Sequence, residues 1–186
     1  YQITKASEIP EIFAKAFYIA KSGRPGPVLI DITKDAQFEL FDFKYSKCKG
    51  IRSYNPLPTI SDDSIDNAAK LINNAKKPVI LAGHGILLSG ASQEIIQLAE
   101  TASIPIGWTL LGAGSVPASH PLNMGMMGMH GEFAVNNAIQ DADLLIACGM
   151  RFDDRVTGNI KTYSPDSKKI HIDIDPSEIN KNVPVD

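Results

Sequence analysis

The amino-acid sequence predicts an α/β fold, an open parallel sheet with helices on both faces. Two patterns carry that prediction. From Ser61 onward, short apolar runs of strand length alternate with stretches of helical period, joined by short connections. Glycine-bearing loops also follow the strand-like runs directly, where open parallel sheets hold their ligands. The elements follow in order. Ser7 is placed to cap a first helix, Pro10 sits in its first turn, and Gly23 ends it. Within it Ile9, Ile12, Phe13, Ala16, Phe17 and Ala20 recur three and four apart. Residues 27–32 form an apolar run expected to be a strand covered on both faces. Residues 35–60 alternate aromatics and charges, turn basic, and carry Asn55-Pro56 and Pro58, which predicts an extended crossing segment and a domain boundary. Ser61 with Asp62 and Asp63 then opens a helix carrying Ile65, Ala68, Ala69, Leu71 and Ile72. Strands are expected over residues 78–82, 104–108, 143–148 and 169–173. Helices are expected near residues 92–103 and 132–140, with loops over the Gly- and Met-rich stretch 112–131 and over 149–158.

Composition narrows the function. Of 186 residues, 44% are hydrophobic and 21% charged, an ordinary globular balance with enough chain to bury a core. Eighteen Lys+Arg against 21 Asp+Glu leave a net charge of −3, which argues against nucleic acid or an anionic membrane as the main partner. The longest apolar stretches, such as 143–150, are too short to span a bilayer, and no basic-then-apolar leader opens the sequence. Two cysteines, Cys48 and Cys148, make neither a disulfide framework nor a four-ligand zinc site. These features point to a reducing, cytoplasmic setting. The sequence begins at Tyr1 and stops at Asp186 just after a strand-like run, and it reads as a piece of a longer chain.

Four loops follow strands and are the candidate ligand sites. Gly83-His84-Gly85 could bring backbone N–H groups to a phosphate or form a plain tight turn, and it does not complete the dinucleotide fingerprint. Thr109-Leu110-Leu111-Gly112 offers a hydroxyl and amides, or simply ends a strand. The stretch from Gly149 to Gly158 places Arg151, Asp153, Asp154 and Arg155 within five positions, a pattern suited to phosphate with carboxylates orienting the guanidinium groups. In His171-Ile172-Asp173-Ile174-Asp175, the aspartates alternate onto one face where a carboxylate can take ribose hydroxyls. No calcium loop is completed, and no metal site is expected. Met124, Met126, Met127 and Met129 read as packing, His130 as a solvated or ligand-contacting histidine near a helix start, and both cysteines as unreactive thiols. No self-sufficient catalytic constellation is present.

Ser22-Gly23-Arg24-Pro25-Gly26-Pro27-Val28 through Asp31, then Lys34-Asp35, resembles the end of the first domain of thiamine-diphosphate-dependent decarboxylases and carboligases. The Arg151-Phe152-Asp153-Asp154-Arg155-Val156-Thr157 loop, together with 125–131 and 171–175, resembles the catalytic subunits of the acetohydroxyacid (acetolactate) synthase family. The resemblance covers essentially the whole chain. It implies three parts: the tail of the pyrimidine-binding domain (1–37), an extended linker (38–60), and a Rossmann-like central domain that carries FAD (61–186), truncated at its end. It implies an enzyme condensing two 2-ketoacids with loss of CO2 in branched-chain amino acid biosynthesis, a homo-oligomer with a possible small regulatory subunit. Thiamine diphosphate and magnesium would be held by domains outside this sequence, so that the piece alone would not catalyse. The FAD contacts it maps are Arg24, Gly83, Gly85, Thr109, Leu110, His130, Arg151, Asp153, Arg155 and Asp173. Lys34, Met129, Asp154 and Arg155 would lie near the substrate channel. The sequence departs from the family pattern at His84, where members often carry the middle of three successive glycines. The alternatives are another carboligase or decarboxylase of the superfamily, or a nucleotide-binding module without catalysis.

Overall fold

In the computed structural model, which describes residues 1–186, the chain divides into two units, Tyr1–Pro58 and Thr59–Asp186. The first unit is built on helix α1 (Ile9–Ala20) and a two-stranded parallel ladder of β1 (Gln2–Ile3) with β2 (Asp31–Ile32). Its start differs from the expectation at Ser7. Residues 6–8 form a 3-10 turn, and Glu8 Oε2 accepts the backbone N–H groups of Thr4 at 3.0 Å and Lys5 at 3.1 Å. Glu8 can do what Ser7 cannot because its longer side chain reaches back a full turn. The helix ends at Lys21, and Gly23, at φ 58°, turns the chain two residues later. The strand expected over 27–32 shrinks to β2, and it is not covered on both faces, since Leu29 is 81% exposed. An apolar run becomes a buried strand only where neighbours pair and cover it. A short helix, α2 (Lys34–Phe38), follows β2. The segment beyond it is largely extended, but Tyr54 anchors it. The phenol donates to Ser22 O at 2.7 Å, and its ring meets Tyr18 edge-on.

The second unit is the predicted α/β layer structure. Helix α3 (Asp62–Asn74) starts on Ser61, whose hydroxyl accepts Ser64 N–H at 3.2 Å. Then come β3 (Pro78–Ala82), α4 (His84–Ser89), α5 (Ser92–Ala102), β4 (Ile106–Trp108), β5 (Asn123–Met126), α6 (Phe133–Asp141), β6 (Leu144–Cys148), α7 (Asp154–Thr157) and β7 (Lys168–Ile172). The sheet order is β5-β4-β3-β6-β7, and every pair is parallel. Five strands form rather than four, because β5 emerges from the Gly- and Met-rich stretch taken as loop. Likewise α4 and α7 lie where only loop was expected.

Alternation along the strands explains the two faces. Val79, Leu81, Leu145 and Ala147 join Val135 and Ile139 of α6 in one core. Ile80, Ala82, Leu144 and Ile146 join Ile95 and Ala99 of α5 in the other, with Leu71 and Ile72 of α3 packed against it. The chain moves outward from β3 to β4 with α5 on one face, then returns past β3 to β6 with α6 on the other. That is what crossovers of one hand require when their direction reverses.

Asp143 ties three connections together at the amino end of the sheet. Its carboxylate accepts the N–H of Lys76 at 2.7 Å and of Lys77 at 2.8 Å, and its carbonyl accepts Lys168 N–H at 3.0 Å. Burial pushes the carboxyl pKa up, but the backbone N–H donors outweigh it and hold it below the usual range. We expect Asp143→Ala to lower stability by about 1–2 kcal/mol at neutral pH, read as a shifted urea midpoint. A depressed folded pKa means that this contribution is present above the unfolded aspartate pKa and is lost as pH falls through the folded one. The wild-type advantage should therefore be full at neutral pH and vanish in strong acid; an advantage that persists there would show that the carboxylate is not its source.

Candidate functional site

Register places the candidate loops in one row. Met126, Trp108, Ala82, Cys148 and Ile172 are successive partners across the sheet. The residues that follow them, Met127, Thr109, Gly83, Gly149 and Asp173, therefore leave the carboxyl edge side by side, along about 19 Å at the usual strand spacing. Connections depart in opposite directions from β3 and β6, so the crevice between these two strands is the topological switch point, where open sheets bind ligands.

Glycines set the floor of that crevice. Gly83 N–H donates to Cys148 O at 2.8 Å and Gly85 N–H to Gly149 O at 3.0 Å, extending the β3–β6 ladder past the strands. A Cβ on Gly83 would lie 2.2 Å from Gly149 O, and one on Gly85 would lie 2.6 Å from Gly149 Cα. These two amides are thus already donated. The space a side chain would take on either is filled by the loop after β6, so the glycines serve the approach of two protein backbones, which corrects the expectation that their N–H groups face a phosphate. His84 is exposed in the first turn of α4 and does not fill the floor. Thr109 N–H donates to Ala82 O, and its hydroxyl accepts Gly112 N–H at 3.1 Å, leaving the hydroxyl proton to donate. Leu110 beside it is 72% exposed.

The loop after β6 sorts its side chains by a backbone reversal. Gly149 and Phe152 both take positive φ, 62° and 48°. For a bulky residue this costs about 1–2 kcal/mol. The Phe152 ring turns inward against Tyr163, at 6.2 Å between centroids, and His171, at 5.1 Å. Arg151 and Asp153 then face out, with Arg151 Nε 3.6 Å from Asp153 Oδ2. Asp153 also caps α7 by accepting Arg155 N–H at 3.1 Å. His171 supports the loop from below. Its Nε2 is 2.7 Å from Met150 O, so that nitrogen carries the proton, while the buried Nδ1 has no hydrogen-bond partner. Asp173 leaves the strand pattern: its Oδ1 accepts Asp175 N–H at 2.9 Å, so the two aspartates form a turn instead of alternating on one face. Its Oδ2 lies 3.8 Å from His171 Nε2.

Met129, Asp154 and Arg155 converge on one cleft of about 320 Å³ between α6 and the 154–163 segment, lined also by Asn136, Thr157 and Tyr163. Met129 N–H donates to Arg155 O at 2.8 Å. His130 is exposed in the turn beside Met129, three residues before α6. Arg24 and Lys34 belong to the first unit, Arg24 in the turn after α1 and Lys34 at the start of α2, both exposed. Burial raises the Cys148 thiol pKa to about 12 and pushes the Tyr163 phenol up as well. No group of three or more His, Cys, Asp or Glu side chains converges among the described residues. Sequence reasoning missed His171 and Asn136 as supports. His171 was legible as an inward position of β7, whereas Asn136 carried no signal within an ordinary helix.

Residues 65–186 match the family described as thiamine pyrophosphate enzyme, central domain. The chain is 51% identical over 190 residues to the "Probable acetolactate synthase large subunit" of Methanococcus aeolicus, covering 100% of this chain and 32% of that protein. It is 47% identical over 181 residues to the acetolactate synthase large subunit of Corynebacterium glutamicum, covering 97% of this chain and 29% of that protein. Among solved structures, the "putative thiamin diphosphate-dependent enzyme" of Mycobacterium smegmatis superposes with a TM-score of 0.74 at 25% identity, over 100% of this chain and 35% of that one. The chain spans about a third of the length of the curated relatives it matches.

The glycine floor has a measurable signature. Gly83→Ala should cost about 3 kcal/mol or more, because its Cβ meets backbone that belongs to the adjoining loop. Gly90→Ala, at φ 71° with nothing within 4 Å, should cost only about 1 kcal/mol. Urea midpoints of the two variants compare them directly, and equal losses would mean that the loops relax apart freely.

Proposed function

The chain belongs to the family of thiamine pyrophosphate enzyme central domains, and from that premise we propose that it is the central part of an acetolactate synthase large subunit. The observation that carries the proposal is sequence identity of 41–51% to acetolactate synthase large subunits over nearly the whole chain. On this reading residues 1–37 are the tail of the preceding pyrimidine-binding domain, 38–60 the linker and 61–186 the central domain. The intact protein joins two 2-ketoacids and releases CO2 on the way to branched-chain amino acids. Thiamine diphosphate, with its magnesium ion, supplies the electron sink that such carbanion chemistry needs, held by other parts of the protein. This chain alone then has no catalytic role. A cytoplasmic homo-oligomer, with or without a small regulatory subunit, belongs to the same reading.

We further propose that the carboxyl edge of the sheet binds FAD. The residues present fit such a ligand. Gly83, Gly85 and Gly149 let the two loops at the switch point close tightly on each other, the exposed guanidinium groups of Arg151 and Arg155 suit a diphosphate, and Asp173 Oδ2 can accept from a ribose hydroxyl. Thr109 and Leu110 border the floor, and Asp153 orients Arg151. The family resemblance also assigns flavin contacts to His130 and Arg24, and a place on the ketoacid path to Lys34, Met129, Asp154 and Arg155. Condensing two ketoacids with loss of CO2 leaves no net electrons to transfer, so the flavin's place here is structural.

Titration with FAD, followed by flavin fluorescence, tests the site. We expect saturable binding that NAD does not displace and that Arg151→Ala weakens about tenfold or more. Absence of saturable binding to both the chain and the full-length protein would overturn the FAD reading.

A further inference from the structure

Asn136 lies in the interior of α6, half-buried, where an exposed-face asparagine would be unremarkable. Its side chain does something specific. Oδ1 accepts Gly128 N–H at 2.9 Å, and Nδ2 donates to Gly128 O at 2.9 Å. One carboxamide therefore takes both backbone groups of a single residue, as a neighbouring strand would. Gly128 is held at φ 98°, and a Cβ there would lie 2.7 Å from Arg155 O. The next N–H, that of Met129, donates to the same Arg155 carbonyl at 2.8 Å. Both peptides flanking Arg155 are fixed as well: Arg155 N–H donates to Asp153 Oδ1 at 3.1 Å, and Val156 N–H, in the peptide that carries Arg155 O, donates to Asp153 O at 3.0 Å. Asn136 thus fixes Gly128, Gly128 presents Met129 to Arg155, and Asp153 fixes Arg155 from behind. Met129, Asn136, Asp154 and Arg155 all line the same cleft.

We propose that Asn136 is a positioning residue, whose paired bonds to Gly128 lock the Met129–His130 turn onto the Arg155 loop so that the two halves of the ligand edge are preorganised. It need not touch a ligand to do so. Without it, the turn keeps the Met129-to-Arg155 bond and its internal bonds, Gly131 N–H to Gly128 O and Glu132 N–H to Met126 O, but loses its tie to α6, so binding must restrain it further. The functional part of this inference rests on the FAD reading above; the locking itself does not.

The test uses three chains: wild type, Asn136→Ala and Asn136→Asp. Amide hydrogen exchange is read without ligand at Gly128 and Met129, with the β3 and β6 amides as internal controls. We expect Asn136→Ala to speed exchange at Gly128 and Met129 at least about fivefold while the strand amides are unchanged. FAD affinity should fall by a similar factor. Asn136→Asp supplies the distinguishing readout. As a carboxylate it accepts from Gly128 N–H but repels Gly128 O; once protonated it regains a donor and mimics the amide. Its FAD affinity should therefore recover towards wild type as pH falls from neutral towards mildly acidic values, relative to the wild-type profile. Unchanged exchange at Met129 in Asn136→Ala overturns the inference, as does FAD affinity equal to wild type in both variants. If wild type binds no FAD, the FAD reading fails, and exchange at Gly128 and Met129 alone then decides the lock.

Discussion

The second unit depends on two backbones passing at a distance that no side chain permits. Gly85 and Gly149 approach so closely that a Cβ on either would lie 2.6 Å and 2.5 Å from the other's Cα, far inside van der Waals contact. Because β3 and β6 are adjacent and parallel while their following connections diverge, the chain would otherwise splay open at this point. The glycine contact closes it and lets the β3–β6 hydrogen-bond ladder run on through Gly83 and Gly85. It also sends α4 off one side and the arginine loop off the other, from a common base. Every residue assigned to the ligand edge in this unit takes its position from that base or from a strand in register with it.

The arginine loop shows how the positions are held. Turning Phe152 into the left-handed region costs about 1–2 kcal/mol, but burying its ring recovers about 2–3 kcal/mol, and the ring is 2% exposed. The same turn leaves Arg151 exposed and Asp153 half-buried on either side of it. An apolar residue between two charged ones thus acts as the anchor that presents them. His171 serves the anchor from beneath, by donating to Met150 O and stacking edge-on against Phe152. The polar partners are arranged by packing, and the packing is arranged by one unusual φ angle.

The fold was legible where burial alone decides structure. β3 and β6 are continuous apolar runs covered on both faces, and α3 and α5 carry the helical period with a serine cap or a clear apolar stripe. It was illegible where a neighbour decides. Residues 27–32 look like a buried strand but pair only through Asp31 and Ile32. β5 contains Gly125 at φ 99° and reads as loop, yet Trp108 and Gly107 of β4 hold it in the sheet. The short helix α4 hides behind Gly83 and Gly85 because glycines read as turn. The four ligand loops could be found, since the strand-end rule needs only strand boundaries. The use made of each glycine could not be. Whether a glycine offers its N–H to a ligand or spends it on a neighbouring loop depends on a strand order that the sequence does not state.

The chemistry available at this edge follows from the same packing. Of the ionisable groups that the fold shifts most, the Cys148 thiol is raised to about 12 and the Tyr163 phenol is pushed up as well, both by burial. Burial thus favours the protonated form of both, the opposite of what activates a nucleophile or a base. What the edge does offer is guanidinium groups, a carboxylate, a hydroxyl and bare backbone, which are the means of holding a charged, hydroxyl-bearing ligand in a fixed place. On the proposed reading, such a surface would add to catalysis by orienting something whose reactive atoms are supplied elsewhere. The close glycine contact, the reversed phenylalanine and the clamped turn suit that task. Precision in a binding edge comes from backbone that cannot move.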